Sequence, residues 1–562
     1  MPVLKKRWVV KDPITKEQAD MLVGYPRIIQ QILVNRGHET REAAERFLYA
    51  AIPSGSDPLS MVGIREAVTR IKGAISNNER IAVYGDYDVD GVTATALLTE
   101  VLEKLGADVE GYIPNRFNEG YGLNKEALKE LHDQGKTLVI TVDCGIRSPR
   151  EVEYAAGLGL DIIISDHHHP SDELPQAAAI INPKQSNDNY PNKELAGVGL
   201  AYKLASALSE NQDQVVEGSL DLVALGTVAD LAPLVDENRA LVRAGLRYIR
   251  EPHRQGLSSL IGVSRLDPHK ITARDIGFVL GPRLNAAGRL DTAYAALELL
   301  MAKNVALAAK LAQMLDNQNR ERREITREVQ EHAEQQALDD DPDAMLLFAA
   351  DPSYNMGVVG LAASRLVDRF YRPSIVAFEG EEYTRGSCRS IPEFHITDAL
   401  DRCADLLVRH GGHAAAAGFT IRNQNLPEFK LRLRELAEVQ LADQDLRPTV
   451  TADLELPLSE LNPDLLEYLN MLEPTGQGNP QARFISRNLI ITRYKTVGRD
   501  GSHLKFSVTD GKKPYDAIAF RLGEWAKNMP PRVDLLYTFE ENEYQGRKSL
   551  QLNVKDMRPS ET

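Results

Sequence analysis

Four short apolar stretches in this chain each run directly into side chains that seek metal ions. Arg80-Ile81-Ala82-Val83-Tyr84 leads into Gly85-Asp86-Tyr87-Asp88-Val89-Asp90-Gly91. Thr137–Val142 leads into Asp143-Cys144-Gly145, Leu160–Ser165 into Asp166-His167-His168-His169, and Leu220–Ala229 into Asp230. Carboxylates and imidazoles at the ends of buried apolar segments are costly unless a cation neutralises them. One such ending carries little weight. Four constrain the fold, because the chain has to bring their ends to one place.

The first three runs are short, rich in Val and Ile, and separated by helical patterns at Thr93–Leu105 and Lys125–Gln134. That combination predicts buried parallel strands in α/β units. Ligands of open α/β sheets sit beyond the C-terminal ends of the strands. Asp86, Asp88, Asp90, Asp143 and His167 are therefore expected to converge on one sheet edge. The fourth run suits a strand or a helix, and either delivers Asp230 to the same rim. Gly91 reads as the end of the first strand, with a helix from about Val92.

Five Asp and one His make a mostly oxygen donor set, suited to Mn²⁺ or Mg²⁺ rather than to a sulphur-selecting metal. Two such ions, about 3.5–4 Å apart, activate water and clamp an attacked phosphodiester. Asp-x-Asp-x-Asp-Gly also occurs in calcium loops, but Leu97 stands where such a loop needs Glu. A lone His-His-His suits a surface tract; after two acidic strand ends it reads as part of the site, with His169 before Pro170 left as structural.

These residues resemble the DHH phosphoesterase family, named for the triplet seen here as Asp166-His167-His168, and within it the single-strand-specific exonuclease branch. The resemblance extends to Pro114–Gly122, Ala196–Gly199 and Gly281–Asp291, and to Gly386–Ser390 and Gly411–Gly418, which are similar to the companion DHHA1 domain. It runs from about residue 20 to the C-terminus. Tyr354-Asn355 departs from it, since many relatives carry Trp-His there. The resemblance implies metal ligation by Asp86, Asp88, Asp90, Asp143, His167 and Asp230, with Asp143 as the bridge between two ions. It gives catalytic roles to Asp143 and to His168, the latter as a phosphate contact or proton donor to the leaving 3′-oxygen. Contacts to a 5′-phosphate and a single DNA strand fall to Arg116, Arg283, Asn285, Arg289, Arg385, Ser387, Arg389, Gly411, Gly412 and His413.

At 562 residues the chain calls for several domains. The expected fold is α/β and multidomain: a helical lead-in over 1–50 and a parallel-sheet DHH nuclease core over 51–300 with an Arg/Asn-rich loop near 275–291. A long bridging helix (301–341), an α/β DHHA1 domain (342–447) and an OB-like β-barrel (448–562) follow. The helix is read from the absence of Gly and Pro between Val305 and Leu338, and the barrel from short strands at Leu489–Tyr494, His503–Val508, Asp516–Phe520 and Val533–Glu540. Net charge is −15, yet 483–513 holds eight Lys/Arg against two Asp. Nucleic-acid binding follows the local field rather than the total. Tyr494, Lys495, Lys505 and Phe506 are the expected strand-tracking, base-stacking surface.

Cys144, Cys388 and Cys403 have no zinc or redox spacing, and no export leader or spanning segment is apparent. The expectation is a cytoplasmic monomer without a membrane role, served by a helicase and a single-strand-binding protein. The function expected is metal-dependent 5′→3′ exonucleolysis of single-stranded DNA in repair and recombination. The rivals are a small-substrate phosphodiesterase acting on oligoribonucleotides or cyclic dinucleotides, and a non-catalytic scaffold that binds single strands.

Overall fold

Burial on both faces is what makes the first three apolar runs into strands. In the computed structural model, which describes residues 4–115, 122–209, 216–290, 292–544 and 546–561, they lie in one parallel sheet. Its strands are β1 (Arg80–Gly85), β2 (Asp108–Tyr112), β3 (Leu138–Val142), β4 (Asp161–Ser165) and β5 (Ala179–Ile181), in the order β2-β1-β3-β4-β5. Every residue of β3, and all but the first of β1 and β4, is buried. Helix α1 (Val89–Lys104) crosses from β1 to β2. The chain then returns to the other side of β1 to form β3, so the strand order reverses between β1 and β3. A crevice opens at such a switch point, and Asp86, Asp88, Asp90 and Asp143 all leave the sheet there.

Two local expectations change, and one left open is decided. Strand β1 ends at Gly85 and α1 begins at Val89, because the Asp88 carboxylate caps the helix by accepting from the N–H groups of Asp90 (2.8 Å) and Gly91 (3.2 Å). Gly91 lies inside the helix, where a Cβ would stand 2.4 Å from the Asp86 carbonyl oxygen; its role is close approach rather than a break. The fourth run is helix α3 (Leu220–Ala229), which follows α2 (Gly197–Leu208).

The Arg/Asn-rich segment is also helical rather than a loop. A π-helical stretch over Ile276–Leu280 leads into α4 (Gly281–Leu290), with the Gly281 N–H donating to Ile276 O. The wider turn accommodates Pro282, which has no N–H to give to a regular helix.

Helix α5 (Val305–Asp340) spans 36 residues. Its Ala308, Leu311, Ala312 and Leu315 pack into the nuclease core, and its Val329, Ala333 and Ala337 into a separate cluster with Leu347 and Ala363. The division between two compact units falls within it: Trp8–Leu315 with Thr451–Thr562, and Asp316–Val450 with the first residues. Among the described residues no helix is long and apolar enough to cross a membrane.

In the Asp316–Val450 unit, β6 (Leu347–Asp351), α6 (Val359–Phe370), β7 (Ser374–Glu379), β8 (Tyr383–Arg389), β9 (Leu407–His413) and β10 (Ala416–Arg422) build a sheet ordered β9-β10-β8-β7-β6. Only the β6–β7 pair is parallel. Gly411-Gly412-His413 is the end of β9 rather than a turn, because His413 pairs with Ala416 across a two-residue connection. At Gly412, with φ +152°, a Cβ would meet the Ala416 carbonyl oxygen at 2.4 Å.

The C-terminal strands β11 (Phe484–Val497), β12 (His503–Thr509), β13 (Pro514–Ala519), β14 (Arg532–Tyr544) and β15 (Arg547–Pro559) run β11-β12-β13-β15-β14. Pairing of β14 with β11 closes the barrel, as an OB fold requires. Strand alternation turns Leu504, Phe506 and Val508 inward. Phe506 is thus barrel core, only 2% exposed, and not the base-stacking side chain expected; Tyr494, 49% exposed, remains on the surface. Arg239 ties this barrel to the nuclease core. Its buried guanidinium stacks on Phe47 and donates to the carbonyls of Phe47, Met471, Leu472, Glu473 and Pro474, which matches its five N–H groups.

Candidate metal centre

Three of the clustered acidic side chains are each aimed by a distinct backbone device. Asp90, in the first turn of α1, accepts from the N–H groups of Gly197 (2.7 Å) and Val198 (2.8 Å) at the start of α2. A helix N-terminus favours such a negative charge. Asp143 follows β3 with φ 63°, a left-handed conformation that Asp tolerates better than most residues, and its N–H donates to Ser165 O. Asp230 is the last residue of the α3 turn system. Leu231 N–H reaches Val228 O and Ala232 N–H reaches Thr227 O, a Schellman cap with Leu231 at φ 61°. Two glycines let the helices close in. At Gly197 a Cβ would meet Asp143 Cβ at 2.7 Å, and at Gly226 it would meet Asp90 Oδ1 at 2.9 Å.

The six expected ligands form two triads, Asp86/Asp88/Asp143 and Asp90/His167/Asp230, each with donor atoms within 4.8 Å of one another. His167 Nε2 lies 3.0 Å from Asp143 Oδ1, 3.8 Å from Asp90 Oδ2 and 3.9 Å from Asp230 Oδ2, so Asp143 borders both triads. Burial, with repulsion from neighbouring carboxylates, pushes Asp90 and Asp143 well above the usual carboxylate range and Asp230 up to about 7. Burial also lowers His167 to about 3, so its imidazole is neutral. Asp143 Oδ1 and His167 Nε2 are buried without a hydrogen-bond partner. Buried polar atoms are rarely left so. Divalent cations fit the arrangement: they satisfy both atoms, and the oxygen-rich donor set with one imidazole suits hard ions.

His168 completes a third such group with Asp143 and His167, and is held there by Asp166. Its Nδ1 is 2.7 Å from Asp166 Oδ1, its N–H donates to the same oxygen, and its carbonyl accepts from Asn182 Nδ2 at 2.8 Å. Ile146 N–H binds the other Asp166 oxygen. Burial alone would raise Asp166, but the bonds from His168 and Ile146 outweigh it and hold the carboxylate low. For His168 burial works downward and is outweighed by Asp166, leaving the imidazole raised. Sequence reading assigned nothing to Asp166 or Asn182. The Asp at the head of the triplet was the available signal.

Other expected contacts fall into separate places. Arg116 lies outside the described residues. Helix α4 packs on the turn after β1: the Val89 N–H donates to Asn285 Oδ1 (3.2 Å), and at Gly288 a Cβ would be 2.9 Å from Tyr87 O. Asn285 therefore caps the start of α1. Arg283 donates to Val279 O in the π-helical stretch before its helix, and Arg289 sits half-buried one turn beyond Asn285.

In the second unit, β8 places Arg385, Ser387 and Arg389 on one face, and the register puts Gly411 in line with Ser387 and His413 in line with Arg389. Arg389 Nη1 donates to Ser387 Oγ (2.9 Å), and burial lowers its guanidinium. Gly360, in the first turn of α6, approaches both; a Cβ there would be 2.9 Å from Ser387 Oγ and 3.0 Å from Arg389 Nη2. Asn355, at the departure from the family pattern, accepts from Gly357 N–H, and the neighbouring Tyr354 is buried. On the barrel, Lys495 is exposed and Lys505 half-buried.

Comparison with known proteins agrees with this architecture. Family models match for the DHH family, N-terminal domain (residues 80–227), the DHHA1 domain (343–438) and the RecJ OB domain (452–556). The chain is 40% identical to the single-stranded-DNA-specific exonuclease RecJ of Bacillus subtilis, over 99% of this chain and 71% of that one. It is 36% identical to the Escherichia coli K12 protein of the same name, over 97% and 98%. Among solved structures it is similar to RecJ from Thermus thermophilus in complex with Mn²⁺, with a TM-score of 0.86 at 30% identity, covering 99% of this chain and 80% of that one. The Mg²⁺ complex of that protein matches with a TM-score of 0.80 at 29% identity, over 99% and 79%. With its triads, its helix-held Asp90 and its barrel all in place, the chain belongs to the RecJ family of DHH phosphoesterases.

Proposed function

We propose that this chain is a Mn²⁺- or Mg²⁺-dependent exonuclease specific for single-stranded DNA, working 5′ to 3′ and releasing 5′-mononucleotides. The observation that carries the reading is the pair of donor triads bordered by Asp143 and His167, whose facing atoms have no hydrogen-bond partner. Divalent cations bound by Asp86, Asp88, Asp90, Asp143, His167 and Asp230 supply water activation and charge neutralisation at the attacked phosphodiester. The residues around them orient and move protons. The α2 amides hold Asp90 in place, and Asp166 fixes the His168 ring through Nδ1, which assigns proton donation to the leaving 3′-oxygen to Nε2.

The same reading gives Ser387 and Arg389, with the first turn of α6 beside them, the 5′-terminal phosphate. An Arg and a hydroxyl next to helix amides make a good phosphate cradle. Arg385, Gly411, Gly412 and His413 line the same sheet, and Arg116, Arg283, Asn285 and Arg289 serve the strand near the metals. An anchored end phosphate presents the same bond in each cycle, which is what makes an exonuclease. Tyr494, Lys495 and Lys505 on the barrel complete the expected strand contacts. A requirement for single strands calls for a helicase and a single-strand-binding protein as suppliers of substrate. Three buried, unpaired cysteines suit a monomer working in the reducing cytoplasm. The six intact donors speak against a scaffold, and the barrel against a dinucleotide enzyme.

The test is product identity. Purified protein with Mn²⁺ and 5′-phosphorylated single-stranded DNA is expected to yield deoxynucleoside 5′-monophosphates from the first turnovers. Internal fragments, or 3′-phosphate products, would overturn the reading.

A further inference from the structure

The last strand of the parallel sheet delivers a cation to the rim of the metal centre. Strand β5 ends beside the His167 turn, because Ser165 pairs with Ile181 and the Asp166 N–H donates to Ile181 O at 3.1 Å. The buried Asn182 then turns the chain. Its Oδ1 accepts from the Lys184 N–H (2.8 Å) while its Nδ2 donates to His168 O (2.8 Å), so one side chain ties Lys184 to the backbone of His168. The Lys184 side chain is only 12% exposed, and its Nζ stands 3.3 Å from Glu194 Oε2. Glu194 shortly precedes Gly197, whose N–H holds Asp90. A pair with an exposed acid contributes little, and ordering a lysine side chain costs entropy. The contact with Glu194 does not by itself account for a lysine drawn in from solvent.

Lys184 is close enough to act on the ligands themselves. Burial raises Asp230 and lowers His167, and on both the Lys184 ammonium pulls downward. The centre has a use for such a charge. Its five carboxylates exceed two divalent ions by one negative charge, and hydroxide and a phosphodiester would each add another. His168, charged through its contact with Asp166, gives up its proton to the leaving oxygen, so it cannot offset the charge on the phosphate to the end of the step. An ammonium that stays charged can, as a compact point charge suited to a phosphate oxygen. Sequence reading assigned nothing to Lys184.

We infer that Lys184 is a further catalytic residue, whose ammonium contacts a non-bridging oxygen of the attacked phosphodiester on the Asp230/His167 side of the centre and offsets the negative charge that grows there. Glu194 is the positioning residue that holds Nζ at the rim, and Asn182 keeps Lys184 in register with His168, the proton donor. No bond to the lysine forms or breaks, and it keeps its proton throughout. The assignment rests on the exonuclease reading.

The experiment compares variants of the full chain in turnover of single-stranded DNA and, separately, in Mn²⁺ binding by calorimetry without DNA. Lys184→Gln keeps the polarity and most of the length of the side chain but removes its charge. Its kcat is expected to fall about a hundredfold with KM little changed, the loss typical of one preorganised donor to a developing anion. Its Mn²⁺ affinity is expected to hold or tighten, because a cation that repels the ions is gone. Lys184→Arg, which keeps the charge, should recover part of the lost rate. Glu194→Gln alters an acid that is 57% exposed and leaves the buried turn alone; it should lower kcat with melting temperature and Mn²⁺ affinity unchanged. A loss of Mn²⁺ affinity or of melting temperature that accounts for the lost rate would make Lys184 a structural part and overturn the assignment. So would a rise in KM at full kcat. Full activity in both Lys184→Gln and Glu194→Gln, beside wild-type protein that releases 5′-monophosphates, would overturn it and leave the exonuclease reading standing. Wild-type protein that releases none would overturn both.

Discussion

His167 Nε2 stands 3.0 Å from Asp143 Oδ1 at the heart of the carboxylate cluster, and neither atom has a hydrogen-bond partner. Burial keeps the imidazole neutral, and a divalent cation between the two atoms would take a lone pair from each. Burial, with repulsion among the carboxylates, also holds Asp90, Asp143 and Asp230 above their ordinary range, and bound cations would offset both.

Asp143→Asn is expected to cut the exonuclease rate by at least roughly a hundredfold, because even outer-shell partners of a metal ligand are worth about 10–100-fold. Asn tolerates the φ of 63° at this position, so the fold should persist. Removing one buried acid should leave the metal-free protein no less stable than wild type. Calorimetry with Mn²⁺ and a melting curve check this; full activity with Mn²⁺ binding unchanged would exclude Asp143 as the bridge.

Asp166→Asn separates a positioning role from ligation. An amide cannot accept on both sides, so it leaves either Ile146 N–H or the His168 ring without its partner, a cost of about 1–3 kcal/mol. The rate should fall about 10–100-fold and the alkaline limb of the pH–rate profile should shift, with the number of Mn²⁺ ions bound unchanged. Loss of an ion would instead make Asp166 part of the metal centre.

Metal binding should tighten as pH rises. Asp230 titrates near 7 in the folded chain, above its ordinary value, and Asp90 and Asp143 are raised as well. Raised acids bind protons more tightly folded than unfolded. Without metal, the stability they confer is therefore full below the ordinary carboxylate pKa and is lost as pH climbs from about 4 through about 7. Cations displace those protons. Mn²⁺ should raise the melting temperature by several degrees more at about pH 8 than at about pH 5.5. Equal shifts at both would show that the acids are not the ligands.

Arg389→Ala should erode the preference for a 5′-phosphorylated end over a 5′-hydroxyl by about tenfold or more, as expected for one charge-assisted bond of about 1.5–3 kcal/mol. Side-by-side kcat/KM values on the two substrates measure it. A preference that survives would move the phosphate anchor away from β8.

The parallel sheet was legible because burial on both faces turns strands into unbroken apolar runs, and the ends of those runs pointed to the six side chains that the structure groups into the two triads. Less legible were features in which one residue does two jobs. Asp88 is both a ligand candidate and the cap that starts α1, and Gly91, which looks like a break, is a point of close approach. Gly281-Pro282 disguised α4, because a π-helical turn that accepts proline leaves no periodic signal. In the barrel, the aromatics fit either face of short alternating strands, so Phe506 was placed outside and the strand Arg547–Pro559 was not seen. The clamp of Asp166 on His168 depends on a turn geometry that spacing alone does not disclose.

The most direct measurement places the protein with Mn²⁺ on single-stranded DNA labelled at its 3′ end, beside the matching blunt duplex, and follows both over time. Shortening of the single strand from its 5′ end, with the duplex intact and EDTA abolishing the reaction, is the predicted result. Equal attack on the duplex, or loss of the 3′ label as a mononucleotide at the outset, would contradict the account.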